Sequence, residues 1–236
     1  MNKTILVAPF DGPYAASLVN EARAAGWRVV LAVPETGAAK PSAEAAPGRP
    51  AGPQEDSDLV TVAWNPASYV STSALFLAAR NAFGAGSAGE SGFAGVDAAV
   101  LFSGAHGLRA DLVGGKPGEI EACLQRETLG PAHLVRETLR VFEARKAGSI
   151  VFVCPEPEAG ALGPAAALAA GAFKGLGDGV FAAAREAAWE AFGVLDKAGL
   201  PAETAKLVVK ILEERKGGKS GRWLRFTGKT GIFGVF

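Results

Sequence analysis

The sequence predicts an α/β domain built on a doubly wound, mostly parallel sheet flanked by helices. Three observations point to it. Short apolar runs alternate with longer stretches of helical spacing, the pattern of parallel strands joined by crossover helices. A chain of 236 residues suits one such domain. With 49% of its residues hydrophobic it can bury a large core, which excludes wholesale disorder.

The elements follow in order. TILVAP (4–9) reads as a first buried strand, and YAASLVNEARAAG (14–26) as a helix closed by Gly26. WRVVLAV (27–33) and LVTVAW (59–64) are the second and third strands. NPASYVSTSALFLAARNAFG (65–84) carries helical spacing after an Asn cap. VDAAVLFS (96–103) is a fourth strand, 118–146 one long amphipathic helix, and GSIVFVC (148–154) a fifth strand. A small-residue helix runs from Pro164 into the 180s. The segment EAFGVLDKAGLP leaves little room for a sixth strand. The helix LPAETAKLVVKILEERKGG opens with Pro201 in its first turn and ends on two glycines. RWLRFTGKTGIFGVF supplies one more strand. Residues 34–57 hold five prolines among Ala, Gly and charges, which suits neither a helix nor a buried strand. They form a flexible insertion in a single domain spanning 1–236.

Lys and Arg balance Asp and Glu at 24 each, so no global field favours nucleic acid or membrane. Residues 201–236 hold eight Lys and Arg against three Glu, which leaves the first 200 residues net acidic by five. The two cysteines, Cys123 and Cys154, have neither metal-ligand spacing nor a disulfide framework. The start is too short in apolar length for a signal peptide. No run approaches the roughly 18 apolar residues of a membrane span. These features predict a cytoplasmic protein.

Several stretches imitate binding motifs. GAGSAG (84–89) matches G-x-G-x-x-G, but follows a helix and precedes a strand. The dinucleotide fingerprint needs the reverse order, so that a pyrophosphate meets a helix N-terminus. GKTG (228–231) resembles the end of a P-loop, but Trp223 stands where the leading glycine belongs. Arg215, Lys216, Lys219, Arg222, Arg225 and Lys229 could touch phosphates, with Trp223 and Phe226 available to stack. A solvated helix end explains the first half of that cluster equally well. Ala167, Gly171, Gly175, Gly179 and Ala183 recur every four residues on one helix face. Helical glycine costs about 1 kcal/mol relative to Ala, so a close neighbour has to compensate. That neighbour is either the chain's own sheet or a second copy, and the second case makes Gly171, Gly175 and Gly179 an oligomer interface.

In order and spacing these segments resemble the short-chain dehydrogenase/reductase (SDR) family over about residues 3–185 and, more loosely, the C-terminal strand, apart from the insertion. LVAPFDGPYAASLVNEARAAGWRVVLA is similar to its first β-α-β unit. VDAAVLFSG is similar to the strand leading into Asn-Asn-Ala-Gly, and RETLGPAHLVRETL to the interface helix with Asn-x-x-Gly-Pro. GSIVFVCP is similar to the strand ending at the catalytic serine, and AALAAGAFKGL to the helix bearing Tyr-x-x-x-Lys. The resemblance implies a Rossmann-like fold, an NAD(P) site and a homo-oligomer formed through the 118–146 and 164–185 helices.

The departures fall on the functional positions. The three cofactor glycines become Pro9, Pro13 and Ala15; two of these lack an amide N–H, and Asp11 adds like charge. The ribose-selecting position after the second strand is Val33 or Pro34. The Asn-Asn-Ala-Gly quartet becomes Leu101, Phe102, Ser103 and Gly104. The interface-helix asparagine becomes Glu127, the serine Cys154 or Pro155, and the Tyr and Lys become Ala166 and Ala170. The only tyrosines are Tyr14 and Tyr69, so no shift of register restores the family's proton donor. Lys174, one turn past Ala170, reads as a surface residue.

Three functional readings compete. The first is a non-catalytic SDR-like protein, a scaffold, assembly or regulatory subunit with no cofactor and an unidentified protein partner. The second is an NAD(P)-dependent oxidoreductase or sensor with an atypical site. The third is a thiol enzyme in which Cys154 and His106, with Glu127 nearby, meet at the C-terminal ends of strands four and five. The sequence favours the first.

Overall fold

The computed structural model describes residues 3–35, 58–83, 95–104, 114, 116–156, 163–214 and 220–228. The strands are β1 (Thr4–Ala8), β2 (Arg28–Pro34), β3 (Leu59–Trp64), β4 (Ala98–Phe102), β5 (Ser149–Pro155), β6 (Glu190–Asp196) and β7 (Trp223–Phe226). They pair in parallel throughout, in the order β3-β2-β1-β4-β5-β6-β7. The helices are α1 (Gly12–Ala24), α2 (Tyr69–Phe83), α3 (Pro117–Leu124), α4 (Gly130–Arg145), α5 (Pro164–Ala184) and α6 (Pro201–Glu214).

Successive strand residues point to opposite faces. Leu6, Ala8, Val30, Leu101, Ile150 and Phe152 pack with α2, α4 and α5. Ile5, Val7, Val29, Val100, Val151 and Val194 pack with α1 and α6. Burial on both faces is why the strands read as continuous apolar runs rather than alternating ones.

Three expectations are corrected. Helix α1 begins at Gly12, two residues early, because Pro13 sits at a first-turn position that needs no N–H. The long 118–146 helix is interrupted: Gln125–Leu129 form a π-turn between α3 and α4. The sixth strand is present as seven residues in full register with β5, so the segment after residue 185 had ample room. The bulk of the 34–57 insertion and the GAGSAG stretch lie outside the described residues.

Strand β7 is held by an aromatic wedge. The Trp223 ring stacks edge-on against Phe152 and Phe181, and its Nε1 donates to Asp178 at 2.7 Å. The indole fits because Gly193 and Gly177 carry no side chain: a Cβ on either would lie 2.3 Å and 2.7 Å from the ring. At the C-terminal edge, buried Asp196 accepts from Tyr14 Oη (2.7 Å), Thr204 Oγ1 (2.9 Å) and the amides of Ala198 and Gly199. It thereby joins α1, β6 and α6.

Gly193→Ala is expected to lower the unfolding free energy by about 2–3 kcal/mol through overpacking. In a Trp223→Leu background the same change should cost measurably less, because the obstructing ring is gone. Urea unfolding of the four proteins in that cycle provides the check.

Candidate functional site at the C-terminal edge of the sheet

The chain winds from β1 outward to β3, then returns to β4 on the other side of β1. Ligands of open α/β sheets bind outside the strand carboxyl ends at such a reversal. The ends of β1, β4 and β5 bring Pro9–Asp11, Ser103–Gly104 and Cys154–Glu156 to this edge. The π-turn adds Arg126 and Glu127, and α5 adds Lys174.

Glu127 is 7% exposed. Its carboxylate accepts the Gly104 N–H and the Arg126 Nε–H, the latter at 2.7 Å. The approach to β4 depends on glycine, since a Cβ on Gly104 would stand 2.5 Å and 2.8 Å from the carboxylate oxygens. Burial raises the Glu127 pKa above the usual glutamate range. Arg126 and the Gly104 amide work against that, and the negative charge of Asp11 adds to it. Asp11 keeps an exposed edge, but crowding of its carboxyl raises its pKa as well, opposed by Arg126. Glu127 thus pairs with Arg126 directly, while Asp11 feels the charges of both from a greater distance.

At the end of β5, Cys154 is 1% exposed, and burial pushes its thiol up to about 11 despite Lys174. A thiol in that state is no nucleophile at neutral pH. His106 lies outside the described residues, so the Cys154–His106 pairing has no structural description. Lys174 is not a free surface residue: it pairs with Glu156 at 2.5 Å, and Lys197 approaches the same carboxylate at 3.5 Å. Burial works to raise the Glu156 pKa, but the two lysines hold it below the usual range.

The two tyrosines are committed elsewhere. Tyr14 lies on the α1/α6 side of the sheet and donates to Asp196; burial and that carboxylate raise its pKa above the ordinary phenol value. Tyr69 opens α2 and donates to buried Glu137 on α4. Ala166 is buried and Ala170 half-buried in α5. Leu101, Phe102 and Ala15 are buried in the core, Ser103 lies at its margin, Pro9, Val33 and Pro34 are half-buried, and Pro13 is exposed. Pro155 ends β5.

Two side motifs resolve differently. The packing face of α5 is Ala165, Ala169, Phe173, Gly177, Val180 and Phe181. Ala167, Gly171, Gly175, Gly179 and Ala183 are all exposed, and a Cβ on any of the three glycines would meet nothing within 4 Å. The stripe therefore does not pack on its own sheet. In the basic C-terminal cluster, Trp223 is wedged between α5 and the sheet and Phe226 is 5% exposed, so neither offers a face to a base. Arg215, Lys216, Lys219, Lys229 and most of GKTG lie outside the described residues.

No family model matches the sequence, and no curated protein matches it. Solved structures do. A short-chain dehydrogenase/reductase-family oxidoreductase from Brucella ovis, in complex with a partially ordered NAD, superposes with a TM-score of 0.69 at 18% identity. That match covers 96% of this chain and all of the other. A putative 3-oxoacyl-reductase from Bacillus thuringiensis gives a TM-score of 0.68 at 15% identity, covering 98% and 99%. The fold is that of the short-chain dehydrogenase/reductases. A second Brucella ovis SDR oxidoreductase gives 0.66 at 17% identity, covering 96% and 100%. The SDR-like fold thus takes in β6 and α6 as well as the C-terminal strand β7. Among the described residues no helix is long and apolar enough to cross a membrane, and no cluster of His, Cys, Asp and Glu could hold a metal ion.

Sequence reasoning identified Glu127, Gly104 and Asp11 singly but not their grouping, and missed Glu156 and Asp196. The adjacent Arg126–Glu127 pair, just before Gly130-Pro131, was the available signal.

Because Glu127 titrates above its ordinary range, its charge opposes folding. That cost is fully present above the raised pKa and absent below the unfolded value. Glu127→Gln should therefore raise the melting temperature by a few degrees at pH 8. The gap should close as the pH falls into the ordinary carboxylate range, near pH 4. Separately, neither Cys123 nor Cys154 should react with a maleimide at pH 8 in the folded protein, and both should react in urea. Burial raises both thiols, Glu127 adding to the shift at Cys123.

Proposed function

We propose that this chain is a non-catalytic SDR-like module, a scaffold, assembly or regulatory subunit working in the cytoplasm. One observation carries the reading. The two tyrosines in the sequence lie in α1 and α2 rather than α5, and both donate their hydroxyls to carboxylates, Asp196 on β6 and Glu137 on α4. A proton donor has to reach its substrate within hydrogen-bond distance. The α5 positions that the resemblance assigns to Tyr and Lys are Ala166 and Ala170, which carry no proton to give.

The residues at the β1/β4 crease do not fit a dinucleotide. A pyrophosphate is bound by backbone N–H groups and positive charge. Here Pro9 and Pro13 have no N–H, the Gly104 N–H is taken by Glu127, and two carboxylates face one arginine. No chemistry is therefore routed through NAD(P).

Self-association fits the exposed features of the remaining surface. The small-residue stripe of α5 lets another backbone approach closely, and Leu168 and Leu129 stand 53% and 48% exposed on α5 and the adjoining π-turn. Pairing of two copies through α4 and α5 would cover them. The chemistry a scaffold serves belongs to its partners, which pulldown from cell extract identifies.

A second reading, an NAD(P)-dependent oxidoreductase or sensor with an atypical site, is favoured by one observation: a neighbour of the same fold was crystallised with NAD. Calorimetry with NAD(H) and NADP(H) separates the two. The expected outcome is no binding tighter than about 1 mM, whereas low-micromolar binding would establish the second reading. In sedimentation velocity the protein is expected to run as a dimer or larger, and Gly175→Glu to shift it to monomer; a wild-type monomer removes the oligomer proposal.

A further inference from the structure

We propose that the Glu127 side chain is a built-in plug of the crease between β1 and β4, an internal anion that, with Asp11, turns away the phosphates of a dinucleotide. The inference rests on the non-catalytic reading and gives a cause for its lack of cofactor.

The geometry carries it. Gly104 follows β4 at the strand-order reversal, and its amide is the sort of donor that an incoming phosphate oxygen would use. In this chain that amide already donates to a carboxylate of the same molecule. The contact is tight enough that a Cβ at residue 104 would push the carboxylate from its present position. The π-turn supplies the aim: an extra residue in the helical spiral re-aims side chains, and such turns concentrate at functional positions. Arg126 clamps the plug through Nε while remaining 45% exposed, so it stays in place without being sealed in.

Charge completes the argument. Asp11, Arg126 and Glu127 sum to one negative charge, and a pyrophosphate approaching them meets net repulsion in a partly desolvated setting, where like charges cost most. Neutralising both acids without changing their shape reverses the sign. The same crease then offers the Arg126 guanidinium, no longer outweighed by two carboxylates, to an anion. Specificity is set here by a repulsive element placed inside the site, not by the absence of an attractive one alone.

The test titrates NADH, followed by its own fluorescence, into wild type, Asp11→Asn, Glu127→Gln and the double variant, each checked for folding by circular dichroism. Expected is no saturable response from wild type up to about 1 mM and binding at least about tenfold tighter in the double variant, with the gain lost in high salt. A folded double variant that binds no better than wild type overturns the plug and leaves the non-catalytic reading intact. Low-micromolar binding by wild type overturns the non-catalytic reading. The plug then stands only if the double variant is tighter still by the same margin. Should the double variant not fold, Asp11→Asn at its exposed loop position carries the comparison: tighter binding supports the plug, and unchanged binding overturns it.

Discussion

A wholly parallel sheet must send every connection across one of its faces, and each face then has to be buried by the helices that make the crossing. Here α1 and α6 cover one face and α2, α4 and α5 the other. The same constraint delivers all strand carboxyl ends to a single edge, with a reversal of strand order between β1 and β4. The architecture therefore creates a candidate site before any particular side chain is chosen. What the side chains decide is whether the site accepts anything.

In this chain the side chains turn the edge inward on itself. Glu127 binds the Gly104 amide, Glu156 holds two lysines, Asp196 gathers a tyrosine, a threonine and two amides, and Cys154 is sealed as a neutral thiol. Groups that could meet a ligand meet one another. Partners satisfy the buried donors and acceptors of the edge, although at Glu127 they do not fully offset the cost of burying its charge. They also compete with any ligand that would use the same donors.

The fold was legible because periodicity is a one-dimensional signal. Strands TILVAP, WRVVLAV and GSIVFVC could be read from their own residues, and Gly26 and Pro201 from helix-end chemistry. Where the reading failed, the deciding partner was far along the chain. β6 looked short because its register is set by β5. The π-turn breaks a helix whose amphipathic pattern runs straight through it. Trp223 looked like a stacking platform because nothing near it in sequence says that Gly177 and Gly193 leave a slot for it. In the site, single residues could be named by alignment of spacing. The electrostatic coupling of Asp11 to Arg126 and Glu127 required elements that come together only in three dimensions.

That aromatic slot also orders events in time. Gly177 and Gly193 precede Trp223 in the chain, so any state in which β7 has not docked leaves the cleft beside α5 open, lined by Phe152 and Phe181. Such a state exposes apolar surface, which is what makes incompletely folded chains prone to aggregate. Strand β7 is thus a latch as well as an edge: the Trp223 ring closes that cleft against Phe152 and Phe181.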